Sequence, residues 1–370
     1  MLLKVFAYLK GNRVTQKLKI KGPAIILSNH TSFYDFVYTT AAMYPRRVTY
    51  LAAQKMFYEP ATKTFLNMAR AIPKSLMQTD PVATLKAFRM LKRKGIISVF
   101  PEGQISPTGK TLAINFSIAK FLKKASVNVY IVKHHNAYLV NPPWSKKTFS
   151  GRSETVKELI ISKDDLKNLS THDIYSIVCD KLNFSTSVYN REKKYTYKLK
   201  DISNLENVIY QCPSCLYEGL EAKKQQLICP ECSYELNYDS YGLLNGLGVD
   251  ELYDEQAKRL HQLIDSDRHF ELSSKVILQS IDHDLLKSVG FGRLTLKENQ
   301  YVYEGSYLHE MKSLSFDIDH IQSLPSDIGK NVQIYKDYQI YQFEMKTPWL
   351  PTKFIHAGEY LYMKKAEKLD

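Results

Sequence analysis

Acidic residues are nearly missing from the first 150 positions. Asp35, Glu59, Asp80 and Glu102 stand alone there against 24 Lys and Arg, a balance of +20. The rest of the chain carries 27 basic and 34 acidic residues, so the overall charge of +13 is regional. A region this positive is drawn to a polyanion, and an anionic membrane, a nucleic acid or a phosphorylated substrate would each serve. Cysteine is also scarce. Four of the five form two Cys-x-x-Cys pairs and Cys179 stands apart, which excludes a disulfide framework and points to metal binding in a reducing compartment. With 15 Gly and 14 Pro in 370 residues, the chain is neither collagen-like nor low-complexity. No uncharged apolar run reaches the ~20 residues of a membrane helix, and Met1 to Leu9 is short and interrupted by Lys4. These features predict a cytoplasmic globular protein of two or three domains.

What is present begins with a short amphipathic segment, Met1 to Lys10, and an alternating stretch, Val14 to Lys21, that as a strand would show one basic face. Apolar runs at Ala24 to Leu27, Val48 to Ala52, Ile96 to Phe100 and Val127 to Val132 read as strands. Between them a stretch entered through Ser28 to Asp35 and running to about Met43, then Ala61 to Ala69, Pro81 to Lys94 and Leu112 to Lys124, read as helices. Alternation of this kind predicts an α/β domain over residues 1–200, a sheet flanked by helices with functional groups beyond the strand ends. A cysteine module at 207–240, a helical linker at 243–283 and a mainly-β domain with a closing helix at 285–370 complete the expected order. The last unit reads as a pleckstrin-homology-like barrel or as a generic β-sandwich.

Two polar clusters fall at strand ends. In Asn29-His30-Thr31-Ser32-Phe33-Tyr34-Asp35, His30 precedes a helix whose first turn holds Asp35, so the two side chains can meet. An imidazole bonded to a carboxylate through one nitrogen keeps the other as a proton acceptor, which makes a general base. A capping box, Ser32-x-x-Asp35, accounts for the same residues without chemistry. In Phe100-Pro101-Glu102-Gly103, Glu102 is the lone acid between Pro81 and Ser150. Charge balance with a nearby cation explains it as well as function does. His134 and His135 have no acidic or thiol partner nearby in sequence and read as packing or surface residues.

Taken together, His-x4-Asp followed by Phe-Pro-Glu-Gly resembles the glycerolipid acyltransferases, the lysophosphatidic acid acyltransferase family. Gly22 to His30 looks like that family's approach to its His motif, and Ala71-Ile72-Pro73-Lys74 sits where the family keeps a phosphate-contacting segment. The resemblance implies that His30 takes the proton from an acceptor hydroxyl as it attacks an acyl thioester, that Asp35 orients His30, and that Glu102 and Gly103 help bind the acceptor. It further implies acyl-CoA or acyl-ACP as donor, with acyl carrier protein as partner in the second case, a lysophospholipid as acceptor, and peripheral association with an anionic membrane surface. Where many relatives carry Arg, this chain has Lys74, with Arg70 as the second candidate, and Gln104-Ile105 after the Glu-Gly pair. Lysine binds phosphate without the bidentate fork, so the acceptor stays open between lysophosphatidic acid and another hydroxyl or amine.

Cys212, Cys215, Cys229 and Cys232 form two knuckles at ribbon spacing. Four thiolates fill a tetrahedral Zn²⁺ shell and leave no place for water, which predicts a structural zinc site. Glu218, Glu221, Glu231, Glu235 and Asp239 surround them, a poor setting for nucleic acid, so the ribbon reads as a spacer or interaction module. A non-catalytic adaptor is the rival from another class, and the joint presence of His30, Asp35 and Glu102 argues against it.

Overall fold

The computed structural model describes residues 1–16, 18–76, 80–282, 285–337 and 339–366. Seven strands form the first sheet: β1 (Asn12–Val14), β2 (Ala24–Leu27), β3 (Thr49–Ala53), β4 (Ile72–Lys74), β5 (Ile96–Val99), β6 (Asn128–His135) and β7 (Ser153–Ile161), in the order β1-β7-β6-β2-β5-β3-β4. All pairings are parallel except β6 with β7. The first helices of the same unit are α1 (Leu2–Leu9), α2 (Asp35–Met43), α3 (Pro60–Met68), α4 (Pro81–Lys92) and α5 (Ser117–Ala125).

Central strands of a parallel sheet are covered on both faces, which is why β2 and β5 read as unbroken apolar runs rather than alternating ones. Ile25, Leu27, Ile97 and Val99 pack with Ala83, Ala87 and Leu91 of α4, with Ile118 and Leu122 of α5 and with Ile174 and Val178 of helix Thr171–Leu182. Ala24, Ile26 and Ile96 face the other way, against Ile20, Ala42, Met43, Tyr130 and Val132. Helix α1 lies on α2 through an edge-on contact of Phe6 with Tyr34. Only Ala7 of α1 is buried, leaving Leu2, Leu3, Val5, Tyr8 and Leu9 exposed.

The ribbon is not a spacer. Its three short strands, Glu221–Lys223, Gln226–Ile228 and Glu235–Asn237, bring Leu220, Leu227, Leu236, Cys212 and Cys229 into one core with Tyr138, Trp144, Phe149, Tyr197 and Ile202 of the preceding unit. Burial of these apolar groups against each other ties the two units into one packed body. The expected helical linker covers only Val249–Ser266. Leu272–Asp282 is instead a strand whose even positions Leu272, Ser274, Val276, Leu278 and Ser280 are buried, the period-2 signature of a one-faced strand. It belongs to the last domain, a single seven-stranded antiparallel sheet running spatially Glu310–Asp317, Gln300–Tyr307, Leu285–Lys297, Leu272–Asp282, Gln339–Met345, Asn331–Lys336, Ser326–Asp327. Helix Leu350–Ala366 packs on it through Phe354, Ile355 and Ala357.

Two further boundaries differ from expectation. Of the alternating stretch Val14 to Lys21, only Val14 is strand among the described residues, as the last residue of β1, an edge strand paired along Ser153 to Thr155. The helix expected from Leu112 starts at Ser117; Leu112 itself lies in the irregular stretch before it, with its N–H donating to the Glu102 carboxylate.

Candidate active site

The site lies beyond the C-terminal ends of the parallel strands, where β2 runs into His30 and β5 into Phe100. The His30 Nδ1 atom is 3.1 Å from Asp35 Oδ2. That same oxygen accepts the Thr31 and Ser32 backbone N–H groups at 2.7 and 2.8 Å. The carboxylate therefore does both jobs foreseen for it: it satisfies main-chain donors at the entry of α2 and it holds the imidazole. Helix α2 starts at Asp35 itself, and the Ser32 hydroxyl accepts the Tyr34 N–H while donating to Asn141. Asp35 is fully buried, whereas the His30 side chain keeps 19% of its surface in contact with solvent. With Nδ1 facing Asp35, Nε2 is the nitrogen left for an incoming hydroxyl. The ring lies flat on Phe100, with centroids 4.2 Å apart, and Phe100 stacks in turn near Tyr50.

Glu102 is 2% exposed. Its Oε1 accepts the His30 N–H at 2.7 Å and its Oε2 the Leu112 N–H at 2.8 Å. Burial pushes its pKa up to about 8, and the two N–H bonds pull the other way. The carboxylate expected to meet the acceptor is thus occupied with main chain, and what it positions is the His30 backbone. Ser106 N–H donates to the His30 carbonyl at 2.7 Å, so His30 is gripped on both sides of its Cα by the loop after β5. Gly103 takes a φ of +75°, a left-handed turn that lets its N–H reach the Phe100 carbonyl.

Lys74 ends β4 at the same edge of the sheet, three strand positions from β2, roughly 14 Å at the usual ~4.8 Å spacing. Its Nζ donates to the Ser75 carbonyl at 2.9 Å; burial lowers its pKa while Asp80 acts to raise it. Arg70 precedes β4, is exposed, and so lies toward the opposite, N-terminal edge of the strands. The structure does not bring it to His30.

Behind the imidazole is a buried polar network whose roles were not legible in the sequence. Asn29 exchanges two hydrogen bonds with the His134 backbone, at 2.8 and 3.0 Å, stitching β2 to β6. The His134 ring bridges Thr39 and Thr155, and burial pulls its pKa down to about 4. Of the packing and surface positions expected for it, the structure gives the buried one, with both ring nitrogens hydrogen-bonded. Lys55, just beyond β3, was also missed; it is buried and paired with Asp327 and Glu59.

The four cysteine sulfurs lie within 4.8 Å of one another, with Cys212–Cys232 at 3.7 Å and Cys215–Cys229 at 3.6 Å. A tetrahedral ion with bonds of about 2.3 Å places its sulfurs about 3.8 Å apart, so this donor set fits a thiolate-bound metal. Each knuckle turns back on itself the same way, Leu216 N–H to the Cys212 carbonyl and Ser233 N–H to the Cys229 carbonyl.

Among the described residues no helix is long and apolar enough to cross a membrane. No curated protein matches the chain. A solved structure, the 1-acyl-sn-glycerophosphate (LPA) acyltransferase PlsC from Thermotoga maritima, is similar at 18% identity and a TM-score of 0.39, over 50% of this chain and 80% of that one. That likeness is too slight to carry an argument. The family model described as Acyltransferase matches residues 10–134, the segment that holds β2, β5, His30, Asp35 and Glu102. Residues 10–134 of this chain are an acyltransferase-family domain.

Proposed function

We propose that the protein moves a fatty acyl group from a thioester, on coenzyme A or acyl carrier protein, to the hydroxyl of a lysophospholipid such as lysophosphatidic acid. The observation that carries this reading is the His30–Asp35 pair at the sheet edge, with one ring nitrogen held and the ring partly open to solvent. His30 takes the hydroxyl proton as the oxygen attacks the thioester carbonyl. Asp35 stabilises the imidazolium that forms, and the thiol departs with a proton. The thioester is already activated, so no acyl-enzyme is required. The cationic first region and the exposed apolar side of α1 suit docking on an anionic membrane without crossing it.

In the same reading, the four cysteines hold a structural Zn²⁺. The last domain is pleckstrin-homology-like, supported by its strand order, which counted within the domain is 4-3-2-1-7-6-5, and by its closing helix. The test is mass spectrometry of lipids after incubating purified protein with a defined acyl thioester and a panel of lyso-acceptors. An acylated lysophospholipid is expected; acylation of an amine or non-lipid hydroxyl alone would replace the acceptor, and no acyl product from any arm would end the proposal.

A further inference from the structure

The loop that grips His30 is held from its other side by the C-terminal half of the chain. Between β5 and α5, residues 100–116 have no regular structure beyond an isolated bridge at Lys110. Their inward side supplies Phe100 to the His30 ring, Glu102 to the His30 N–H and Ser106 to the His30 carbonyl. Their outward side meets groups more than 100 residues away. Gln104 Nε2 donates to Ser323 Oγ at 3.1 Å, and Ser323 donates onward to Glu359 of the final helix. Asn115 donates to Gln322 at 2.9 Å, and Lys110 pairs with Asp254 at 2.7 Å. Just after β3, Lys55 is paired with Asp327.

The segment making these contacts is itself firmly seated. Ile321 and Leu324 are 8% and 1% exposed in the core of the last domain, so Gln322 and Ser323 between them are presented outward from a fixed base. An irregular loop has few internal bonds to set its position and takes it from what it rests on. We propose that Ser323, acting through Gln104, is a positioning residue for His30, so that the C-terminal domain is a working part of the transferase site and not a detachable recruitment module. The inference rests on the acyltransferase reading only for its kinetic arm.

Two readouts test it on the full-length protein. The first is a double-mutant cycle on kcat with Gln104→Ala and Ser323→Ala. Each single variant is expected to lower kcat on the order of tenfold with KM for donor and acceptor little changed, since displacing a base slightly costs rate rather than affinity. The double variant should lose no more than either single one, because both cut the same bond. Ser323→Thr, which keeps the hydroxyl, should restore kcat. Ser313→Ala, exposed on the outer strand of the same domain, should leave it unchanged. The second readout needs no activity: in protein labelled with ¹⁵N-histidine, the His30 ring resonances should shift in Gln104→Ala and Ser323→Ala and return in Ser323→Thr. Unmoved resonances, or independent additive losses of kcat, would overturn the coupling. Shifted resonances in a protein that transfers no acyl group would uphold the coupling and sink the function.

Discussion

Replacing Asp35 separates charge from geometry at the His30–Asp35 pair. In Asp35→Asn the amide oxygen can take the place of Oδ2 and keep the bonds to His30, Thr31 and Ser32. The amide nitrogen then falls where Oδ1 now stands, a buried position with no hydrogen-bond partner among the described residues. Leaving those donors unsatisfied costs about 1–3 kcal/mol of stability. The loss in catalysis has a different origin. A carboxylate and an imidazolium with charge centres ~4 Å apart attract by about 4 kcal/mol at an effective dielectric constant near 20. Removing the negative charge withdraws that stabilisation from the transition state, and kcat should fall on the order of 10³-fold. Asp35→Ala loses all three bonds as well, which adds a stability loss of roughly 2–4 kcal/mol. Acyl-transfer kinetics alongside urea unfolding read the two effects apart. An Asn variant that is folded and as fast as wild type would refute the reasoning, because the carboxylate would then be only a cap.

Burial raises the Glu102 carboxyl from 4.5 to about 8. Between those values the folded state holds a proton that the unfolded state has released, so this group's stabilising contribution is complete below pH ~4.5 and is lost as pH rises toward 8, by at most about 1.4 kcal/mol per pH unit. Glutamine stays neutral at every pH, so the unfolding free energy of wild type should fall away from that of Glu102→Gln as pH is raised from 5 to 8, and parallel curves would contradict the burial argument. If the four cysteines hold a metal as proposed, a chelator, or Cys229→Ser, should lower the unfolding midpoint of the whole first body, because the cysteine module shares its core; a calorimetric trace that loses only a small separate transition would show the module to be independent. Binding to anionic vesicles should weaken as salt rises from 50 to 500 mM, and salt-insensitive binding would argue against electrostatic docking.

His30, Asp35 and the four cysteines were legible because each depends on a short stretch of chain: a strand exit followed by one helical turn, or a knuckle of four residues. The parallel sheet was legible for a related reason, since strands buried on both faces are written as apolar runs. The hydrogen-bond partners of Glu102 were not, because they are backbone N–H groups of His30 and Leu112, which no residue type announces. The burial of Leu272–Asp282 alternates, but its residue types do not, with Ser274 and Ser280 facing inward and Ile277 outward, so the strand was absorbed into the expected helical linker. Ser323 and Asp327 are ordinary loop residues in sequence. Their meaning comes from a contact with Gln104 and Lys55 that only the packed domains create. Arg70 was the second candidate for the Arg that many relatives carry, but it precedes β4 while Lys74 ends it, so the strand carries the two toward opposite edges.

The account depends most directly on His30 as the proton acceptor, and the decisive measurement is the acyl-transfer rate of His30→Ala set beside its unfolding midpoint and its zinc content. The account predicts transfer abolished in a variant that folds and binds metal as the wild type does. Undiminished transfer in that variant would contradict it.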